Sequence, residues 1–318
     1  MTDTPTSQRC GFVAIIGAPN AGKSTLVNRL VGTKVSIVTQ KVQTTRFPVR
    51  GIAIDGDVQM VLVDTPGIFK PRRRLDRAMV RSAWSGAEDA DAIVLLVDAA
   101  AQGAVRGGGN APTPADRKAV EDVESIVEGL QKNGAKAILA LNKIDLLKRE
   151  NLLAVADSLF KAGVFSDVLM ISADKGQGVA DLSRMLAARM PDGPWLYPED
   201  QAADAPVRIL AAEITREKLF LRVHEELPYA AAVVTTAFKD MPDGSARIEQ
   251  TVFVERDGQR AIVLGKGGQT LKWIGQKARE ELSVLLDRRV HLFLHVQVDE
   301  RWSDDRALYS QFGLDYDS

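Results

Sequence analysis

The sequence predicts an α/β chain in two parts, a larger unit on a mostly parallel sheet followed by a smaller α+β unit. Three observations carry the prediction. Apolar runs of strand length alternate with amphipathic segments of helix length from residue 12 to residue 190. A glycine-rich loop separates the first of those strands from the first helix. At 191–206 the rhythm gives way to a stretch rich in Pro, Asp and Ala, and a different order of elements follows it. The expected domains are therefore 1–190, a linker at 191–206, a second domain at 207–302 and an acidic tail at 303–318.

Phe12 to Ile16 is the first buried strand, and Ser24 to Val31 opens the first helix. Between them Gly17, Ala18, Pro19, Asn20, Ala21, Gly22, Lys23 and Ser24 fit the phosphate-loop pattern. Its glycines let successive backbone N–H groups turn toward a β-phosphate, the helix N-terminus adds positive potential, and Lys23 can reach the β and γ oxygens. Ser24 is left to offer its hydroxyl to Mg2+, with Thr25 beside it in the same nucleotide site. The polar loop Gln40 to Arg46 follows. A switch loop at this place supplies a second Mg2+ hydroxyl, and Thr45 is preferred to Thr44 for that role.

Val49 to Ile54 and Val58 to Val63 are two strands around the turn Asp55-Gly56-Asp57, and the second runs into Asp64-Thr65-Pro66-Gly67. Asp64, at the end of an apolar strand, is placed to hold a Mg2+-bound water, and Gly67 to bring its N–H to a γ-phosphate. The basic run Lys70 to Arg74 reads as a solvated face before a helix from Leu75 to Glu88. After the strand Ile93 to Val97, the Gly- and Ala-rich stretch Ala99 to Pro114 is expected to be a flexible loop. A helix from Asp116 to Asn133 and a strand from Ala137 to Leu141 lead to Asn142-Lys143-Ile144-Asp145. The Asp145 carboxylate can accept from both N1–H and the 2-amino group of guanine, a donor pair that adenine lacks. Asn142 would tie the base to the phosphate loop, and the stem of Lys143 would cover the ring. A strand from Asp167 to Ile171 brings the Ser172-Ala173 backbone toward guanine O6, and a helix from Val179 to Met190 closes the unit. These residues fall at the carboxyl ends of strands, where open α/β sheets bind ligands.

In the second unit a helix at Glu213 to Leu227 precedes strands at Ala230 to Phe238 and Arg247 to Glu255, a helix at Gln269 to Leu286 and a strand at Val290 to Val298. The loop Gly265-Lys266-Gly267-Gly268 between helical segments fits the GXXG loop of a KH RNA-binding domain, whose glycines let a nucleic-acid backbone approach closely. From Gly258 to Arg279 stand Arg260, Lys266, Lys272, Lys277 and Arg279 and not one acid. Because the formal net charge of the whole chain is −1, a surface for nucleic acid has to be a local patch of this kind. RNA contacts are placed at Arg260, Gly265, Lys266, Gly267, Gly268 and Lys272.

The 318 residues, 45% of them hydrophobic, leave room for two full cores. The one cysteine, Cys10, excludes a disulfide framework and points to a reducing, cytoplasmic setting. No apolar run approaches the ~20 residues of a membrane span, and the first ten residues lack a signal-peptide core. His224, His291 and His295 show no metal-ligand spacing, Trp195 and Trp302 read as packing residues, and the tail after Trp302 is expected to be disordered.

Taken in order, GAPNAGKS, QTTR, DTPG, NKID, SAD and finally GKGG make the chain resemble the Era-type bacterial GTPases of ribosome assembly, over roughly residues 10–302. The resemblance implies a P-loop GTPase domain followed by a type II KH domain, with Mg2+-dependent hydrolysis of GTP to GDP and phosphate. It implies binding of the 3′ end region of 16S rRNA and of the 30S ribosomal subunit, peripheral association with the cytoplasmic face of the inner membrane, and a monomer. Lys23, Thr45 and Gly67 would be the catalytic set. Ser24, Thr45 and Asp64 would be the metal set. The residue after DTPG is Ile68, so the water-orienting glutamine of Ras-like enzymes is absent there and unaided hydrolysis is expected to be slow. Asn20 stands where several such GTPases support a bound K+, and potassium stimulation is expected. A rival reading is a membrane-surface signalling GTPase whose second domain binds lipid or protein. Its support is the basic patch, which anionic lipid would also attract, whereas GKGG is useful to a nucleotide backbone and not to lipid.

Overall fold

The computed structural model describes residues 8–39, 41, 44–107, 111–223 and 227–317; Gln43 of the expected switch loop and His224 lie outside the described residues. The chain divides into two compact units. One comprises the residues up to Ser36, Thr45–Asp204 and Gly313 onward, and the other Ile37–Thr44 with Ala205–Phe312.

The first unit alternates strands and helices: β1 (Arg9–Ile16), α1 (Lys23–Val31), β2 (Val49–Asp55), β3 (Val58–Asp64), α2 (Arg74–Glu88), β4 (Ala92–Asp98), α3 (Ala99–Val105), α4 (Pro114–Lys132), β5 (Ala137–Asn142), α5 (Arg149–Phe160), β6 (Phe165–Met170), α6 (Val179–Ala187) and β7 (Ala203–Asp204). Among the described residues its strands form one sheet in the order β6-β5-β4-β1-β3-β2-β7. The pairs from β6 to β3 are parallel, while β2 runs antiparallel to β3 and β7 antiparallel to β2. The central strands are buried on both faces, so their sequences are continuous apolar runs rather than alternating ones. Successive residues nevertheless serve opposite cores. Val13 and Ile15 pack with Leu26 and Val27 of α1 and Leu182 and Leu186 of α6. Ala14 and Ile16 pack with Ala83 of α2, Ile126 and Leu130 of α4 and Leu152 and Val155 of α5.

The structure corrects several expectations. The stretch Ala99 to Pro114 begins as a helix, not a flexible loop, because the Asp98 carboxylate accepts from the N–H groups of Ala100 and Ala101 at 3.0 and 3.1 Å. Its small residues suit packing: a Cβ on Gly103 would meet Leu147 at 2.7 Å. Residues 108–110 lie outside the described part. Pro114 sits in the first turn of α4, which starts two residues earlier than expected under a Thr113–Asp116 capping box. The first strand begins at Arg9, so Cys10 lies buried inside it.

The stretch 191–206 is not a free linker. Its chain returns to the sheet through the Cys10 N–H to Pro191 carbonyl bond, 3.1 Å, and through β7. Trp195 donates its indole N–H to the Asp57 carbonyl at 3.1 Å. Gln59, wholly buried, accepts from the N–H groups of Leu196 and Tyr197 at 2.9 and 3.0 Å and donates to the Tyr197 carbonyl at 2.8 Å. An irregular segment is thus tied down by backbone bonds, an indole and the Gln59 amide, none of which periodicity reveals.

In the second unit α7 (Val207–Arg222), β8 (Ala231–Asp240), β9 (Ala246–Val254), α8 (Asp257–Leu264), α9 (Gln269–Leu285) and β10 (Val290–Val298) follow the α-β-β-α-α-β order of a type II KH domain. Its sheet runs β10-β9-β8, with β10 parallel and β8 antiparallel to β9. Helix α7 starts at Val207 rather than Glu213, since Pro206 is compatible with a helix start, and it ends at Arg222. The segment Ile37–Thr44 belongs to this unit: the Val38 N–H donates to Glu217 at 3.0 Å, Lys41 donates to the carbonyls of Phe220 and Val223, and Arg216 donates to that of Thr44. The tail expected to be disordered carries α10 (Arg306–Gln311), capped by Asp305, with Leu308, Tyr309, Phe312 and Leu314 buried. Trp302 is a packing residue whose indole donates to the Ala230 carbonyl at 3.2 Å.

Replacing Gln59 by Leu should remove the side-chain partners of Leu196 and Tyr197 and lower unfolding free energy by about 1–3 kcal/mol. The check is the denaturant midpoint at unchanged slope; an unshifted midpoint would show that 191–206 is held by other contacts.

Candidate functional site

Parallel pairing sets Ile15 beside Asp64 and Asp98 beside Asn142, so the carboxyl ends of β1, β3, β4 and β5 converge on one edge of the first unit. The phosphate loop leaves β1 there. Gly17 and Gly22 have φ of 154° and 100°, and a Cβ on Gly22 would come 2.4 Å from the Asn142 amide nitrogen, so that position has no room for a side chain. Asn20 is exposed with φ of 61°. Lys23, first residue of α1 and nearly buried, donates to the carbonyls of Gly17 and Ala18 at 3.1 and 2.9 Å. Burial lowers its pKa to about 8, opposed by the charge of Asp64.

The three predicted metal residues meet. The Ser24 hydroxyl donates to Asp64 Oδ2 at 2.7 Å and lies 2.9 Å from the Thr45 hydroxyl, which is itself 3.4 Å from Asp64 Oδ2. Asp64 is wholly buried, and burial raises its pKa against the hydrogen bonds of Ser24 and the charge of Lys23. Among the described residues its other oxygen, Oδ1, is buried and makes no hydrogen bond, the Ser36 hydroxyl standing only near enough to help lower the carboxyl pKa. A carboxylate oxygen left unsatisfied beside two hydroxyls fits a Mg2+ and its water shell, which would supply the missing donors. Thr44, by contrast, turns its hydroxyl to Thr39, at 2.6 Å, and to the Lys41 carbonyl.

Next along the chain, Thr65 gives its hydroxyl to the Ile15 carbonyl at 2.8 Å and leaves only its backbone for a ligand. Pro66 is buried. Gly67 lies against Pro19 so closely that a Cβ would stand 2.9 Å from the Pro19 nitrogen. The Ile68 N–H donates to the Gly17 carbonyl at 3.1 Å, and its side chain packs in the core, facing away from chemistry.

On the base side Asn142 donates to the Ala21 carbonyl at 2.8 Å and accepts from the Ala173 N–H at 2.9 Å. One amide therefore fastens β5 to the phosphate loop and to the Ser172-Ala173 turn. Lys143, with φ of 63°, pairs with Asp98 at 2.5 Å, and Asp145 stands exposed in a 3-10 turn over Ile144–Leu146. Ser172 is buried and its N–H donates to the Gln177 carbonyl at 2.9 Å. Thr25 is half-buried on α1.

The chain is 67% identical to GTPase Era of Caulobacter vibrioides strain NA1000 over 317 residues, covering all of both chains. The chain belongs to the Era family of GTPases. GTPase Era of Maricaulis maris is 56% identical over the full length of both. Residues 12–143 match the family described as 50S ribosome-binding GTPase, and residues 226–303 match the KH domain family. A solved structure of Era in complex with MgGDPNP and nucleotides 1506–1542 of 16S ribosomal RNA superposes with a TM-score of 0.84 at 37% identity, covering 96% of this chain and 99% of that one. An Aquifex aeolicus Era variant bound to GDP·AlF4− gives the same score, identity and coverage. As an Era-family member the protein is a Mg2+-dependent GTPase with a KH domain at its C-terminal side.

Against the Era pattern of motifs, the structure adds residues with no motif of their own. Arg29, on α1, donates to the carbonyls of Ala173, at 3.2 Å, and Asp174, bracing the turn expected near the base. Asn28 accepts from the N–H groups of Val35 and Ser36 at 2.8 and 2.9 Å, fixing the chain that leaves α1. Polar residues on an amphipathic helix give no sign of such distant partners.

In the KH unit Gly265 has φ of 71°, and a Cβ there would sit 2.2 Å from the Thr270 hydroxyl, so this glycine is required by packing. Gly267, with φ of 60°, has nothing within 4 Å of such an atom. Lys266, Gly267, Arg260 and Lys272 are exposed, and Gly268 is half-buried.

Asn142→Ala would leave the buried Ala21 carbonyl and Ala173 N–H without this partner. Nucleotide-free protein should lose about 2–4 kcal/mol of stability, read by chemical denaturation. A loss confined to nucleotide-bound protein would contradict the tie.

Proposed function

We propose that this Era-family protein is a GTP-driven switch that binds the 3′ end region of 16S rRNA and the small ribosomal subunit during assembly. The convergence of Ser24, Thr45 and the unsatisfied Asp64 carboxylate beside the phosphate loop carries the switch. The family and the solved Era complex with MgGDPNP and 16S rRNA nucleotides support the choice of ligands. Lys23 would exchange the carbonyls of Gly17 and Ala18 for phosphate oxygens, whose charge would stabilise its ammonium form against the burial that lowers its pKa to about 8. Bound Mg2+ would neutralise phosphate charge. Ser24 and Asp64 would hold it, with Thr45 completing the set only when a γ-phosphate is present. The N–H of Gly67 would take the γ-phosphate itself. Thr45 and Gly67 thus make the differential contacts that bias two states.

Asp145, exposed at the end of the fixed β5 edge, would choose guanine, with the Lys143 stem over the ring and the Ala173 N–H toward O6. The remaining loop residues from Gly17 to Gly22, with Thr25, Thr65, Pro66 and Ser172, would bind through backbone or by shape. Asn20 would support a K+ that stimulates hydrolysis, tested by comparing turnover in potassium and sodium salts. RNA would lie along Gly265–Gly268 with Lys266, Arg260 and Lys272 on its phosphates. Peripheral association with the inner membrane and a monomeric state belong to the same proposal. Among the described residues no helix is long and apolar enough to cross a membrane.

Asp145→Asn should lose about 2–4 kcal/mol of GTP affinity and gain binding of xanthosine triphosphate, measured by titration. Equal affinity for GTP in both proteins would remove Asp145 from the base site. A Cβ at Gly267 meets no described protein atom within 4 Å, but its φ of 60° strains any L side chain, so Gly267→Asp is read on RNA binding only with an unchanged thermal midpoint. Binding to single-stranded RNA should drop at least tenfold, about 1.4 kcal/mol, with basal hydrolysis within about twofold of the parent. RNA binding at the parent level would refute the GXXG assignment and favour a lipid or protein ligand.

A further inference from the structure

The function so far leaves a second basic run without a task. Lys70, Arg72, Arg73, Arg74, Arg77 and Arg81 are all exposed, and they begin three residues after Gly67. Arg74, Arg77 and Arg81 lie at i, i+3 and i+7 on α2, opposite its buried Leu75, Ala78 and Met79, so they form one continuous solvent face. The single acid between residues 70 and 81, Asp76, does not offset them on the surface. It is buried, and its carboxylate accepts from the N–H groups of Arg72 and Arg73 at 3.0 Å each. The result is an exposed strip of basic side chains above a buried acid.

A second observation says what such a strip takes. Gly313 onward belongs to the same compact unit, anchored by the buried Leu314. The guanidinium of Arg74 stands 4.5 Å from the centroid of the Tyr316 ring, and the Asp317 N–H donates to the Asp315 carboxylate at 3.0 Å, so the ring is flanked along the chain by two acidic residues. A flat ring on an arginine with anionic groups on either side is the chemistry of a single-stranded nucleotide chain.

We propose that the strip from Lys70 to Arg81 is a second single-stranded RNA surface, separate from the GXXG loop, and that the acidic chain end occupies it until RNA displaces it. A base stacks on Arg74 in place of Tyr316, and phosphates replace the carboxylates of Asp315 and Asp317. Because the strip follows DTPG directly in the chain, RNA bound there touches the segment that would report the γ-phosphate. The inference rests on the RNA-binding reading given above and extends it to the GTPase unit.

The test uses the full chain, a labelled 20-nucleotide oligouridylate and a salt series. Lys70→Ala/Arg77→Ala/Arg81→Ala should weaken binding at least fivefold and reduce the slope of log K against log salt by about 2, at about 0.7 per phosphate contact for a single strand. Asp315→Asn/Tyr316→Ala/Asp317→Asn should strengthen binding at least threefold, and should no longer do so when combined with the three alanines. An unchanged thermal midpoint in each variant confirms folding. If the parent binds and Gly267→Asp weakens it while strip and tail variants match the parent, the strip proposal is overturned and the GXXG reading stands. If the parent does not bind the oligonucleotide, both fall. Loss of binding to phosphatidylglycerol vesicles in the strip variant with RNA binding intact would also overturn the proposal and assign the strip to a membrane.

Discussion

The parallel pairing of β1 with β3 is the constraint from which the nucleotide site follows. With Ile15 opposite Asp64, the strand that launches the phosphate loop and the strand that delivers the carboxylate end at the same level. Thr65 locks that level with a bond to the Ile15 carbonyl, and Ile68 repeats it one step out with a bond to that of Gly17. A slip of one residue would send Asp64 to the other face and carry Val63 into its place. On the far side, the pairing of Asp98 with Asn142 does the same for the base, and the Asn142 amide joins the two halves.

Burial then sets the chemistry. Lys23 and Asp64 are both withdrawn from water, which pushes the lysine pKa down and the carboxyl pKa up, each toward its neutral form. Their mutual attraction opposes both shifts without cancelling them. Such a site gains more from a phosphate and a cation than an exposed pair would, because the ligand charges arrive where water screens them least. The two ends are unequal: Lys23 has carbonyl partners, whereas the Asp64 carboxylate is satisfied by hydroxyls on Oδ2 and not, among the described residues, on Oδ1.

Much of this was legible because the site is written in contiguous motifs at strand ends, where spacing and chemistry coincide. The order of strands and helices in the first unit, and of elements around GKGG, could be read from period and loop composition. What escaped was whatever depends on a single polar partner that leaves no period in the sequence. Ala99 to Val105 looks like a loop until Asp98 is seen as its cap, since its alanines have helix propensity but form no apolar stripe and Gly103 weakens the signal. The segment 191–206 looks like a linker because Gln59, far away in sequence, supplies its hydrogen bonds. The acidic end looks disordered because four apolar residues among aspartates carry no clear period, although three of them and Tyr309 are buried.

Net charge misleads for a related reason. The formal balance of −1 treats every carboxylate as equally available to the surface field. In the structure many are committed to backbone N–H groups instead: Asp76 at the start of α2, Asp98 at that of α3, Asp116 at that of α4 and Asp305 at that of α10. Capping favours acids at helix starts for the sake of the helix, and in doing so it fixes them close to the chain. Lysine and arginine, with longer stems, can keep their charged ends outside, as those of the run from Lys70 to Arg81 do, whereas Lys23 and Arg216 are buried and donate to backbone carbonyls. A chain of balanced composition can therefore carry a cationic face where a basic run is exposed and the nearby acid caps a helix, as Asp76 does beside Lys70 to Arg81.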